Sequence, residues 1–168
     1  MVITDLTMDE MYFINKNIDY VDLNSKNINN CKGCFCCWVK TPGKCIIRDD
    51  AVSIYTKIAK TDFIVYVSRV KFGCYDTPVK NLMERSLPVQ KAFIRLYKGE
   101  THHFQRDVVP KKAFIIAYGA KSDSEKRVFE KLVDRNSKNM NFYDYEIIFT
   151  DKENVEDEVK RVVEKWKK

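Results

Sequence analysis

Glycine and proline are scarce in this chain, at five and four of its 168 residues, which excludes collagen-like and low-complexity sequences. No apolar run approaches the roughly 20 residues that a bilayer-spanning helix needs. The opening residues, Met1 to Asp5, lack the basic segment and apolar stretch of a secretory signal. The chain is therefore expected in the cytoplasm, where thiols stay reduced and a disulfide framework does not form. Histidine occurs only as the adjacent pair His102-His103. Neighbours in sequence rarely converge on one ion, so a surface or subunit-contact role is expected. No pair of groups reads as a catalytic acid and base. The net charge of +6 is spread out, with a concentration at Lys160, Arg161, Lys165, Lys167 and Lys168. Cations there complement the negative end of a terminal helix, and no nucleic-acid partner is expected.

Hydrophobic residues make up 45% of the chain, enough for one domain over residues 1–168. Met1–Leu6 and Ile18–Leu23 read as short strands, with a short helix over Thr7–Lys16 between them. Asp49–Lys60 places Val52, Tyr55, Ile58 and Ala59 at helical spacing. Asp62–Ser68 is a nearly continuous apolar run with β-branched residues, the pattern of a strand buried on both faces. Thr77-Pro78 reads as a helix start, with Thr77 as N-cap and Pro78 in the first turn. Residues 87–107 read as an irregular excursion. Lys112–Tyr118 and Tyr143–Thr150 read as further strands. Ser122-Asp-Ser-Glu125 and Thr150-Asp-Lys-Glu153 read as capping boxes, the first opening a helix to about Asn136. The second opens a terminal helix with Val155, Val159, Val162 and Val163 inward. Five strands alternating with five helices predict a parallel, doubly wound α/β sheet in the order 2-1-3-4-5, with helices on both faces. Ligands of such sheets sit beyond the carboxyl ends of the strands.

Five of the six cysteines fall in one segment, Cys31, Cys34, Cys36, Cys37 and Cys45. Cys31, Cys34, Cys37 and Cys45 are separated by two, two and seven residues. Two-residue spacers let successive thiolates converge on a [4Fe–4S] cluster or a zinc ion; free thiols are the alternative. Cys36 and Cys74 lack a matching partner and read as small buried apolar groups. Phe35 and Trp38 read as packing residues.

With the cysteine motif stand Tyr20-Val-Asp-Leu23, Pro42-Gly43-Lys44-Cys45, Asp49-Asp50, Lys80 to Arg85, and Tyr118-Gly119. In these residues the chain resembles the NAD(P)H-dependent FMN reductase and iron–sulfur flavoprotein group of the flavodoxin-like superfamily, from about residue 18 onward. The resemblance implies an FMN-dependent oxidoreductase. Electrons would come from NAD(P)H and pass to a quinone, a flavin, a metal or a protein acceptor. It implies a homodimer or homotetramer with flavin at the subunit contact. It places flavin contacts at Ser68, Arg69, Val70, Lys71, Phe72 and Gly73 after the third strand, and at Tyr118 and Gly119 after the fourth.

The chain departs from that family at two loops. The family opens with a Gly-Ser-Pro-Arg-like loop for the flavin phosphate, whereas here Met1–Leu6 leads into Thr7-Met-Asp-Glu10. Asp9 and Glu10 suit a helix start but repel a phosphate. The family's Ser-Pro-x-Tyr is here Ser68-Arg-Val-Lys71, whose cations either pair with a phosphate or reduced flavin or stand in solvent. Two other expectations follow. One is a flavodoxin-like module that has lost its flavin site and acts by binding or assembly. The other is an electron-transfer protein with a cluster on the four cysteines.

Overall fold

Runs of β-branched and aliphatic residues set the centre of the sheet. The computed structural model describes residues 1–7, 11 and 18–166. Along the chain run β1 (Val2–Thr4), β2 (Tyr20–Asp22), α1 (Cys36–Val39), α2 (Ala51–Lys60), β3 (Phe63–Lys71) and β4 (Cys74–Tyr75). Then follow α3 (Thr77–Arg85), β5 (Gln90–Tyr97), β6 (Glu100–Gln105), β7 (Lys111–Tyr118), α4 (Asp123–Asn139), β8 (Phe142–Thr150) and α5 (Val155–Trp166).

Five strands form a parallel sheet in the order β2-β1-β3-β7-β8. Counted along the sheet's own strands, this is the expected 2-1-3-4-5. Both faces are covered. On one, Ile54 and Ile58 of α2, Val79 and Leu82 of α3, and Phe129 and Val133 of α4 pack against Ile3, Ile64, Tyr66 and Ile115. On the other, Val155, Val159, Val162 and Val163 of α5 pack against Val2, Val65, Val67, Phe114 and Ile116. Each such buried aliphatic side chain stabilises the fold by about 1.5–3 kcal/mol. No helix among the described residues is long and apolar enough to cross a membrane.

The structure corrects several expectations. Residues 87–107 are not irregular: β5 and β6 pair antiparallel as a separate two-stranded sheet. Lys98 and Gly99, at φ 51° and 80°, make its two-residue turn. The N-cap of α3 is Asp76, whose carboxylate accepts from the Thr77 N–H, and not Thr77. α4 runs to Asn139, past Asn136. Ser122 caps it as expected, accepting from the Glu125 N–H at 3.3 Å. The second capping box does not form: a 3₁₀ turn, Lys152–Asn154, precedes α5. His102 is buried and bonds Glu100 and Asn139, tying β6 to α4, so it is a packing residue and not a surface one. The helix expected over Thr7–Lys16, with Asp9 and Glu10, falls almost wholly outside the described residues.

Candidate redox site at the cysteine loop and the strand tips

The loop between β2 and α2 carries the cysteines, and its base is built from carboxylates and amides. Asp50 accepts from the Asn27 N–H at 2.8 Å. Asp49 accepts from the Asn29 N–H at 2.9 Å and the Ala51 N–H at 3.2 Å. Arg85, at the end of α3, grips Asp49 with both guanidinium nitrogens, at 2.6 and 2.8 Å. It also donates to the carbonyls of Asn29 at 2.7 Å and Ile47 at 3.3 Å. Both side chains are shut from solvent, at 0% and 2% exposure. Burial alone raises the Asp49 pKa, but the Arg85 hydrogen bonds and the Asn29 amides outweigh it and hold the carboxyl at about 2. Burial opposes the charge of Arg85, but Asp49 and the neighbouring Cys45 raise its pKa. A bidentate, desolvated pair of this kind fixes position as well as energy.

From this base the loop is tethered outward. The Cys45 N–H donates to the Tyr55 hydroxyl at 3.2 Å. The Trp38 indole donates to the Leu87 carbonyl at 3.2 Å, and its ring lies 4.5 Å from that of His103. Phe35, in a left-handed conformation at φ 55°, packs its ring 5.5 Å from Trp38. Its turn puts Cys34 and Cys36 within bonding reach. The Cys36 N–H and then the Cys36 thiol lower the pKa of the exposed Cys34, while that thiol's bond to Cys34 raises the pKa of Cys36. Burial raises that of Cys37.

The four cysteines predicted as ligands, Cys31, Cys34, Cys37 and Cys45, line one cavity with Phe35, Trp38 and Leu87; Cys36 does not line it. All six cysteines are free thiols. Among the described residues, no three His, Cys, Asp or Glu side chains converge as ligands of a single ion. The soft four-thiol donor set would suit a zinc ion or an iron–sulfur cluster chemically. As the thiols stand, the cavity is about 30 Å³, smaller than a cluster. Nothing lies within 4 Å of where a Gly33 Cβ would be, so the loop is open at that position.

At the strand tips the structure brings Ser68, Arg69, Tyr118 and Gly119 together, since Arg69 pairs with Tyr118 across β3 and β7. An added Cβ on Gly119 would lie 3.5 Å from the Arg69 side chain. Asp5, just beyond β1, sits at their centre and was not foreseen from sequence. It accepts from the Arg69 N–H at 2.8 Å, the Tyr118 hydroxyl at 3.1 Å and the Ser68 hydroxyl at 3.4 Å. Burial raises its pKa, against the lowering effect of the Arg69 and Tyr118 bonds. The remaining candidates leave this cluster. Val70 is buried within β3, which runs three residues past Ser68. Lys71 lies 3.8 Å from Asp76 as an ion pair. Phe72 and Gly73, at φ 53° and 69°, turn β3 into β4. The Phe72 ring is 86% exposed, and its N–H donates to Glu125 of α4 at 3.1 Å.

The residues present therefore fit the ring side of a flavin better than its phosphate. Of the candidate contacts, Arg69 stands beside Gly119, with the Ser68 and Tyr118 hydroxyls nearby. Among the described residues, the Arg69 N–H and the Tyr118 and Ser68 hydroxyls, which would suit an anion, are engaged by the Asp5 carboxylate.

The sheet order and layers define a flavodoxin-like α/β protein. The fold is similar to that of an FMN-dependent NADH-azoreductase from Bacillus anthracis solved with FMN, with a TM-score of 0.57, 12% identity, and 98% and 97% of the two chains covered. It is likewise similar to azoreductase AzrA, with a TM-score of 0.54, 11% identity, and 97% and 92% covered. In sequence, the chain is 39% identical over 75 residues to an iron–sulfur flavoprotein of Methanocaldococcus jannaschii, covering 45% of this chain and 38% of that one. An iron–sulfur flavoprotein of Archaeoglobus fulgidus is 29% identical over 84 residues, covering 50% and 37%. The resemblance read from the cysteine motif thus holds, over matches that span less than half the length of these relatives. No family model matches the chain.

Proposed function

We propose that this chain is an NAD(P)H-dependent flavin oxidoreductase of iron–sulfur flavoprotein type, with FMN at the strand tips and a [4Fe–4S] cluster in the cysteine loop. The observation that carries the reading is the alignment of Cys31, Cys34, Cys37 and Cys45 around one cavity, to the exclusion of Cys36. When bound, a flavin supplies hydride and single-electron chemistry, and a cluster supplies one-electron storage. This chain's residues supply placement. Arg85 and Asp49 hold the cysteine loop, Cys34 offers an exposed thiol whose pKa its Cys36 neighbour lowers, and Arg69 with Ser68, Tyr118 and Gly119 flanks the ring position. The electron acceptor is a quinone, a flavin or a protein.

A second reading, a binding or assembly module without flavin, is favoured by Asp5. Its carboxylate takes the Arg69 N–H at 2.8 Å and sets a negative group where an anionic cofactor would need a donor. Fluorescence titration with FMN and riboflavin separates the two. The oxidoreductase reading predicts saturable micromolar binding of both. Asp5→Asn keeps an acceptor for Arg69 but removes the charge, and it is expected to raise the preference for FMN over riboflavin about tenfold, near one pKa-unit equivalent of interaction. If neither wild type nor Asp5→Asn binds either flavin saturably, the module reading stands instead.

Self-association belongs to the same proposal. Phe93, Ile94 and Leu96 on β5 are 72%, 62% and 79% exposed, an apolar surface suited to a second copy. Sedimentation velocity at micromolar concentration is expected to give a dimer or tetramer for wild type and a monomer for Leu96→Lys. A monomeric wild type overturns this part.

A further inference from the structure

Arg106 closes the base of the β5–β6 hairpin, where its N–H donates to the Val89 carbonyl at 2.8 Å. Its side chain lies against the turn that joins Cys37 to Cys45. A Cβ added to Gly43 would stand 2.9 Å from the Arg106 Cδ and 3.2 Å from its Nε. Gly43 is at φ 83°, so a residue without a side chain serves both the turn and the approach of Arg106. The turn is a closed unit. The Gly43 N–H donates to the Cys37 carbonyl at 2.9 Å and the Lys44 N–H to the Thr41 carbonyl at 2.8 Å. The Thr41 hydroxyl donates to the Lys44 carbonyl at 2.7 Å. A group pressed on Gly43 is therefore coupled to the cysteines on both sides of it.

The fold itself leaves Arg106 uncompensated. The residue is half-buried, its Nε is shut from solvent without a hydrogen-bond partner, and among the described residues no carboxylate pairs with it. Arg85 differs, since Asp49 takes both of its guanidinium nitrogens. A partly desolvated cation without a counter-charge costs free energy. The thiolates of the cysteine loop are the negative groups that its place beside Gly43 offers. We infer that Arg106 is a positioning residue for the cysteine site: its guanidinium, held against Gly43, offsets the charge of the thiolates and favours the reduced state of a cluster bound by them. This rests on the [4Fe–4S] reading above. The sign follows from Coulomb's law. One added electron makes a four-thiolate cluster more negative by one charge, and a nearby cation stabilises the more negative state. The hairpin thereby meets the cysteine loop twice, through Arg106 on Gly43 and through His103 on Trp38 at 4.5 Å.

The test is an anaerobic redox titration of the whole chain, followed by absorbance. At a fixed potential, Arg106→Gln is expected to shift the ratio of reduced to oxidised cluster about tenfold toward oxidised, about 59 mV for a one-electron couple. Iron content is expected to stay unchanged. Arg106→Lys, which keeps the charge, is expected to return the ratio to within about twofold of wild type. A second measurement needs no cluster. In the iron-free chain, alkylation of Cys37 and Cys45 by anionic iodoacetate and by neutral iodoacetamide is compared from peptide masses. The iodoacetate-to-iodoacetamide ratio is expected to fall at least about threefold in Arg106→Gln and to hold in Arg106→Lys, because a cation beside a thiolate attracts the anionic reagent. A wild type without iron whose labelling ratio still falls in Arg106→Gln removes the cluster reading and supports Arg106 as the counter-charge of the thiols. An unchanged labelling ratio in Arg106→Gln overturns the assignment. So does an iron-loaded Arg106→Gln protein whose reduced-to-oxidised ratio matches wild type.

Discussion

Arg85→Leu is expected to destabilise the domain by about 3–5 kcal/mol, the loss typical of breaking a buried ion pair and stranding its partner. That is a large share of the roughly 5–15 kcal/mol by which a domain is stable. The size follows from geometry. Asp49 is 2% exposed and is held by both guanidinium nitrogens, so its carboxylate has no water to turn to. Arg85→Leu together with Asp49→Leu is expected to recover part of the loss, since no lone charge remains. The recovery stays partial because the N–H groups of Asn29 and Ala51 lose their acceptor. Urea unfolding of the two variants measures both effects. An Arg85→Leu midpoint equal to wild type contradicts the clamp.

The same pair sets an acid limb. The Asp49 carboxyl sits at about 2 in the fold, below its ordinary 3.8. A depressed carboxyl contributes stability that is present above the ordinary value and lost as pH falls through the folded one. The difference is worth about 2 kcal/mol, lost between roughly pH 4 and pH 2. Asp5 acts in the opposite sense: its pKa is raised, so its ionisation weakens the fold as pH rises through that value. In Arg85→Leu the Asp49 contribution vanishes, and the acid limb becomes shallower.

The second large effect concerns the cysteines. Cys31→Ser, Cys34→Ser, Cys37→Ser and Cys45→Ser are each expected to lower iron from about four atoms per chain to less than about one. Cys36→Ser and Cys74→Ser are expected to leave it unchanged. The division comes from placement: the first four thiols face one cavity, and the other two line none of it. Elemental analysis of the six variants decides it. Loss of iron with Cys36→Ser and retention with Cys34→Ser would reverse the ligand assignment.

The parallel core is legible in the sequence because burial on both faces leaves an unbroken apolar signature, as in Ile64 to Val67. The β5–β6 hairpin is not, because it stands outside that core. Phe93, Ile94 and Leu96 point to solvent, so the inside–outside alternation on which strand reading depends is missing. Lys98-Gly99 was the one local turn signal available. β3 continues past Ser68 through Arg69-Val70-Lys71, which alternate exposed, buried, exposed. That extension is why Val70 and Phe72 part company with Ser68. The gathering of Cys31, Cys34, Cys37 and Cys45 round one cavity is legible because their spacing is local. Asp5 and the Asp49–Arg85 clamp depend on contacts across 64 and 36 positions, and nothing local announces that those charges are buried.

The most direct measurement is the absorbance spectrum of the anaerobically purified chain, taken with iron and sulfide analysis of the same sample. A broad brown thiolate-to-iron band is expected, with about four iron atoms per chain that disappear in Cys34→Ser and persist in Cys36→Ser. A colourless protein without iron or sulfide, its six thiols all titrating freely, would contradict the four-cysteine site.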